Sequence, residues 1–176
     1  MSKLYSDLYR FNGRTGAMAL IDTAFRKLEF RYMVYYRWYQ SGKTHFIARL
    51  FLRNISWRTN IQVGWKASVG EGFVIIHPGA IAINNEAVIG RNCTVYHGVT
   101  VGMEFRGKRK GNPIIGDSVW MGPNSTVVGS VTVGNDVLIA PGAFVNFDVP
   151  SHSIVLGNPG RIIPKDNATE GYIVRV

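Results

Sequence analysis

The sequence predicts a mainly β fold, a parallel β-helix of hexapeptide repeats, with an N-terminal α-helical region in front of it. Three observations lead there. From Val63 onward a large aliphatic residue returns every six positions, most plainly at Ile115, Met121, Val127, Val133, Ile139 and Val145. A small or branched residue stands four places after each of these, at Val119, Ser125, Val131, Val137, Ala143 and Val149. Charge is split along the chain: residues 1–60 hold eleven Lys/Arg, Lys43 among them, against three acids, leaving only +1 of the net +9 for the rest. A six-residue period suits neither an amphipathic helix nor a simple alternating strand. It suits stacked coils, three hexapeptides to a coil, around a continuous core. A β-sandwich would space its turns about 8–12 residues apart and less evenly.

Taken in order, residues 1–60 form the helical region, 61–150 the β-helix and 151–176 a closing turn and tail. Residues 14–58 read as two helices broken at Ser41-Gly42. The stretch "FRKLEFRYMVYYRWYQ" mixes aromatics with arginines on most faces, which fits packing and oligomerisation. It also fits contact with an anionic membrane surface. Nucleic acid is a third candidate partner and lacks a reading motif. At 176 residues, 46% hydrophobic and 18% charged, the chain reads as globular. Met1-Ser2-Lys3 leads into polar sequence rather than a signal peptide, and no window matches a membrane span. One cysteine excludes an internal disulfide and fits a reducing cytoplasm, with the inner membrane face as a peripheral option.

The period breaks twice. Ile75 to Ile83 spans eight residues instead of six, so "IIHPGAIA" carries a two-residue bulge; Val101 to Ile115 spans fourteen, so eight residues leave the coil as a loop near 103–114. Breaks of this kind re-aim the backbone. His77 and His97 are each the third residue of a repeat, and one coil plus the bulge separates them. They are therefore expected on one outward ledge, roughly 5 Å apart at strand spacing and beside the loop. His45 and His152 lack such a setting. Cys93 takes an inward position and reads as core filler.

On these residues the chain resembles the hexapeptide-repeat acyltransferases, which are left-handed β-helices. It is most similar to the serine acetyltransferases and to the O-acetyltransferases of colanic-acid-type polysaccharide synthesis. "GFVIIHPGAIAINNEAVIG" looks like the segment carrying the catalytic histidine, which places that role on His77. "VYHGVTVG" resembles the segment one coil later; serine enzymes usually have glutamine where His97 stands, and the polysaccharide branch often has histidine. "VLGNPGRII" looks like the closing turn whose basic residue, here Arg161, lies near CoA phosphates. Two positions depart from the serine enzymes: Gln62 replaces an aspartate paired with the catalytic histidine, and Asn112 replaces a histidine before Pro113.

The resemblance implies an acetyl-CoA-dependent O-acetyltransferase. Its CoA arm would lie in a crevice between subunits of a homotrimer, along turns near Pro123 and Pro141, with Arg161 and Lys165 at the phosphates. Such trimers could pair further. His77 is expected to act as general base, His97 to orient acceptor or base, and a backbone N–H near Gly102 to stabilise the oxyanion. The basic run 106–110 could meet phosphate, an anionic glycan or only solvent. Gln62 and Asn112, as acceptor-side positions, shift the expected acceptor from serine to a hydroxyl of a sugar or glycolipid precursor, with serine as the alternative. A γ-carbonic-anhydrase-like metal enzyme and a non-catalytic scaffold complete the competing readings. No metal is expected, since only two histidines share the ledge.

Overall fold

The computed structural model describes residues 2–42 and 44–176, so Met1 and Lys43 lie outside the described residues. From residue 61 the chain winds as a left-handed parallel β-helix of three sheets. Sheet A stacks β1 (Ile61–Val63), β4 (Ile81–Ile83), β7 (Thr100–Gly102), β10 (Thr126–Val128) and β13 (Phe144–Val145). Sheet B stacks β2 (Ser68–Val69), β5 (Val88–Ile89), β8 (Ile114–Ile115) and β11 (Thr132–Val133). Sheet C stacks β3 (Val74–Ile76), β6 (Thr94–Tyr96), β9 (Val119–Met121), β12 (Val137–Ile139) and β14 (Ser153–Leu156), and ends on the antiparallel β15 (Arg161–Pro164).

The six-residue period is the core. Val95, Val101, Ile115, Val127, Val133 and Ile139 are buried, and so are the four-behind residues Val119, Val131, Val137 and Ala143. Strand pairing also reproduces both breaks. Ile75 lies opposite Val95, Val95 opposite Met121, and Met121 opposite Ile139, so successive coils advance by 20, 26 and 18 residues. The first excess is the bulge at His77. The second is the loop after Gly102.

In front of the first coil stand four helices: α1 (Lys3–Asn12), α2 (Ala17–Arg26), α3 (Leu28–Gln40) and α4 (His45–Thr59). The break at Ser41-Gly42 is present, with Gly42 at φ +77°. The expected two helices over 14–58 are three, and α1 precedes them. Neither Gly nor Pro marks the extra break at Lys27. Lys27 is extended there, at φ −119° and ψ 110°, and Arg31 caps the break by donating to the carbonyls of Ala24 and Phe25 at the end of α2. This contact across the turn is not written in local propensity.

These helices close the open end of the solenoid, where a coil has no preceding neighbour to bond with. Tyr32 Oη accepts the Val63 N–H at 2.9 Å, and Asp7 Oδ1 accepts the Phe73 N–H at 2.9 Å. Arg37 donates to the carbonyls of Val69 and Gly70, Arg10 to Gly72 O, and Tyr36 Oη to Ala67 O at 3.0 Å. Arg37 and Asp7 are both buried and paired at 2.7 Å. Burial pushes the Asp7 carboxyl up, and Arg37 pulls it part of the way back.

The C-terminal segment returns along the outer face of sheet C. Asp136 accepts the N–H groups of Ala168 and Thr169 and the Thr169 hydroxyl, and its other partner is His152 Nδ1 at 2.9 Å. Beyond these, Tyr172 packs on Trp120, and Arg10 donates to Val174 O at 2.9 Å. First coil, last coil and helical front are thus tied by one tail.

Candidate active site

The chain turns from sheet C into sheet A along one edge of the prism. On that edge Gly98 N–H donates to Gly79 O at 2.8 Å, Asn124 N–H to His97 O at 3.0 Å and Gly142 N–H to Pro123 O at 2.9 Å. His77, His97, Pro123 and Pro141 therefore occupy the same edge on four successive coils. The bulge changes what the turn presents. In the second coil the one left-handed residue of this turn is Gly98, at φ +73°, whereas the longer first turn has Gly79 at φ +140°, Ala80 at φ +46° in the place of Gly98, and in addition His77 at φ +59°. A non-glycine residue there is uncommon and belongs with re-aimed side chains at functional sites.

The two imidazoles lie 6.2 Å apart between ring centroids, tilted by 59°. His77 is exposed and His97 half-buried. The expectation of a shared outward ledge is met, at a slightly larger spacing. Among the described residues neither ring is tied up in an ion pair or a side-chain hydrogen bond, so a ring nitrogen can meet an incoming hydroxyl. Tyr96 stands edge-on to His77 at 6.2 Å, Trp120 packs on Tyr96 at 5.1 Å, and Tyr172 of the tail packs on Trp120 at 5.0 Å. This aromatic row behind the histidine escaped the sequence reading. Its one trace is Gly122, where a Cβ would fall 2.7 Å from the Trp120 ring.

Beside Pro141, on the outer face of sheet C, lies a groove of about 700 Å³ with Trp120, Leu138, Ala140 and Ile154 as its apolar floor and Lys165 at its wall. Arg161 pairs with Leu156, at the end of β14 nearest the histidine edge. The two expected phosphate ligands therefore bracket β15, and only Lys165 lines the groove.

The loop is elsewhere. It leaves Gly102 at the edge between sheets A and B, folds as a hairpin closed by Glu104 and Gly111, and is held by Ser130 N–H donating to Arg109 O at 2.8 Å. Within one chain the width of sheet A, roughly 10 Å for three residues, separates it from the histidines. The expected adjacency of loop and ledge does not hold inside a single chain, because the extra residues depart at the end of β7 and not at its start. Gly102 and Asn112 share this far edge. Asn112 Nδ2 donates to Glu86 at 3.0 Å, and its Oδ1 is buried without a partner.

Gln62 projects outward from β1 into a separate polar cleft of about 470 Å³ between α4 and the first two coils, with Arg53, Ser56, Asn84 and Asn85. Cys93 is buried, and burial pushes its thiol up to about 12, as core filler. His45 stands edge-on to Tyr39, and His152 serves the Asp136 clamp. Among the described residues no cluster of three His, Cys, Asp or Glu is placed to hold a metal ion.

Comparison with known proteins agrees with this architecture. The profile described as "Bacterial transferase hexapeptide (six repeats)" matches residues 112–146. A serine acetyltransferase of Helicobacter pylori (strain ATCC 700392 / 26695) is 35% identical over 122 residues, covering 69% of this chain and 71% of that one. A serine acetyltransferase of Bacillus subtilis (strain 168) is 37% identical over 121 residues, covering 69% and 56%. Of solved structures, a serine O-acetyltransferase from Brucella melitensis superposes with a TM-score of 0.76 at 25% identity, over 93% of this chain and 67% of that one. A Neisseria gonorrhoeae serine acetyltransferase in complex with serine gives 0.69 at 26%, over 92% and 67%. The chain belongs to the hexapeptide-repeat transferases, in the serine acetyltransferase family. It spans only 51% to 56% of several curated relatives.

These relatives overturn one expectation. The carbohydrate acceptor, and with it a place in polysaccharide synthesis, rested on Gln62 and Asn112. Two replaced side chains alter local contacts without specifying another acceptor class, and the similar proteins are serine acetyltransferases.

Proposed function

We propose that this chain is an acetyl-CoA-dependent O-acetyltransferase whose acceptor is the hydroxyl of serine, with residues 61–150 as catalytic domain. The observation that carries the proposal is the stacked pair His77 and His97 on an outward edge that continues into the Pro123 and Pro141 turns. A hydroxyl is a weak nucleophile at neutral pH, and imidazole is the side chain whose ordinary pKa suits removal of its proton as it attacks. His77, presented by the bulge, takes that proton. The hydroxyl oxygen bonds to the thioester carbon, the carbon–sulfur bond breaks, and the leaving thiolate recovers a proton from the imidazolium. His97 orients base or acceptor. Acceptor and thioester meet directly, so the route needs no acyl-enzyme.

The apolar groove beside Pro141 suits a long, thin pantetheine arm, with Lys165 and Arg161 available to phosphate. Gly102 and Asn112 lie across sheet A from the histidines. A threefold assembly that sets the loop edge of one chain against the histidine edge of the next would bring them together, with a backbone N–H near Gly102 as oxyanion donor and Asn112 and Gln62 on the acceptor side. The buried, unreactive Cys93 and the soluble acceptor support a cytoplasmic setting; among the described residues no helix is long and apolar enough to cross a membrane.

The test is thiol release from acetyl-CoA with and without L-serine. Serine-dependent release is expected to fall roughly a hundred- to ten-thousandfold in His77→Ala. Near wild-type release by that variant overturns the assignment of the base. Absence of serine-dependent release from the wild type overturns the acceptor.

A further inference from the structure

We infer that the outer face of α4 is a docking surface for an anionic lipid bilayer. Helix α4 buries Ala48, Leu52, Ile55 and Thr59 against the rest of the protein. Helical spacing sets Phe46, Leu50 and Trp57 on the opposite side as one ridge. They are 74%, 42% and 85% exposed. Arg49 and Arg53 flank this ridge on one side and Arg58 on the other, all three exposed. Arg49 stacks 3.9 Å from the centroid of the Trp65 ring. No Asp or Glu occurs between Glu29 and Glu71.

The chemistry selects the occupant. A row of large apolar side chains rimmed by guanidinium groups is the pattern of a helix lying in the headgroup region, apolar ridge toward the acyl chains and cations toward phosphate. A second copy meeting this face would set arginine against arginine, with no acid on α4 to pair them. The surface is also not where the sequence pattern suggested it. The aromatic-rich α3 buries Phe30, Tyr32, Met33, Tyr36 and Arg37, and its neighbour α4 carries an exposed ridge; α2 also exposes Met18, Ile21 and Phe25, but there Arg14 and Arg26 are paired with Asp22. The inference concerns where the protein works and is independent of which hydroxyl it acetylates.

Co-sedimentation of the full chain with phosphatidylcholine vesicles containing roughly one-third phosphatidylglycerol tests it. Partitioning is expected to be at least about fivefold stronger than onto phosphatidylcholine alone and to weaken with salt. The pair Phe46→Ser/Leu50→Ser, and separately Arg53→Gln/Arg58→Gln, should each lower it about fivefold or more while the thermal melt stays unchanged. Met18→Ser/Phe25→Ser, on the exposed face of α2, should leave it intact. Four results would overturn the proposal: no partitioning; equal partitioning onto both vesicle types; loss of binding only in the α2 variant; or vesicle-free self-association that Phe46→Ser/Leu50→Ser abolishes.

Discussion

Arg37, in the helical front, is buried against the first coil and bonded to Asp7, Val69 and Gly70, while Arg91, in the solenoid, lies on the surface facing Asp117 at 2.8 Å. The difference follows from what each region leaves unbonded. Inside the solenoid every coil has a neighbour, and even its corners are satisfied in register. Arg91 N–H donates to Asp117 Oδ1, Asp117 N–H to Asn135 Oδ1 and Asn135 N–H to Ser151 Oγ, one coil after another. The glycine column beside that ladder leaves room for it, since a Cβ at Gly90 would sit 2.4 Å from Asp117 Oδ1. At the first coil this supply of partners ends. There the helices provide two acceptors and several donors from side chains that would elsewhere stay in water. Interior coils cap one another; the end coil has to be capped by something else.

If that contrast is right, the largest effect belongs to the front. Asp7→Ala leaves Arg37 buried without its anion and the Phe73 amide without an acceptor, and should cost about 4 kcal/mol in chemical denaturation. A loss within the scatter of a surface substitution would break the comparison. Next comes the tail clamp. Asp136→Asn removes a carboxylate that accepts from Thr169 and Ala168, and should cost about 2 kcal/mol. Burial would raise the Asp136 carboxyl, but the Thr169, His152 and Ala168 donors outweigh it and hold it below the usual carboxylate range. Its stabilisation is therefore complete above the ordinary aspartate value near 4 and is lost as pH falls through the depressed folded value. The acid limb of melting temperature against pH should be shallower in Asp136→Asn. The smallest effect is at Arg91. Arg91→Gln breaks an exposed pair and should leave the melting temperature unchanged by calorimetry. A clear drop there would mean that the surface ladder carries more of the fold than the contrast allows.

The histidine edge was legible because it is a matter of counting. Hexapeptides stack in register, so an offset of one coil plus a two-residue bulge puts His97 beside His77 whatever else the protein does. Tyr96 and Trp120 were not legible as partners. The count marks both as outward residues but does not say that Gly122 opens a path for the indole or that a tail returns to cover it. Asp7 and Arg37 were similarly opaque. A charged residue on a short helix reads as solvated until the unpaired amide and carbonyls of the opposing coil are known.

By itself the sequence determined the solenoid, its phase, its two interruptions and the ledge of paired imidazoles, because an interaction repeated at constant spacing leaves a periodic trace in the chain. Only the tertiary structure decided which arginines turn inward, which edge carries the hairpin, where the tail is anchored and which helix faces keep bare apolar ridges. Each of these is a single contact between segments far apart in sequence, made once and set by whatever polar group or apolar surface the partner leaves uncovered.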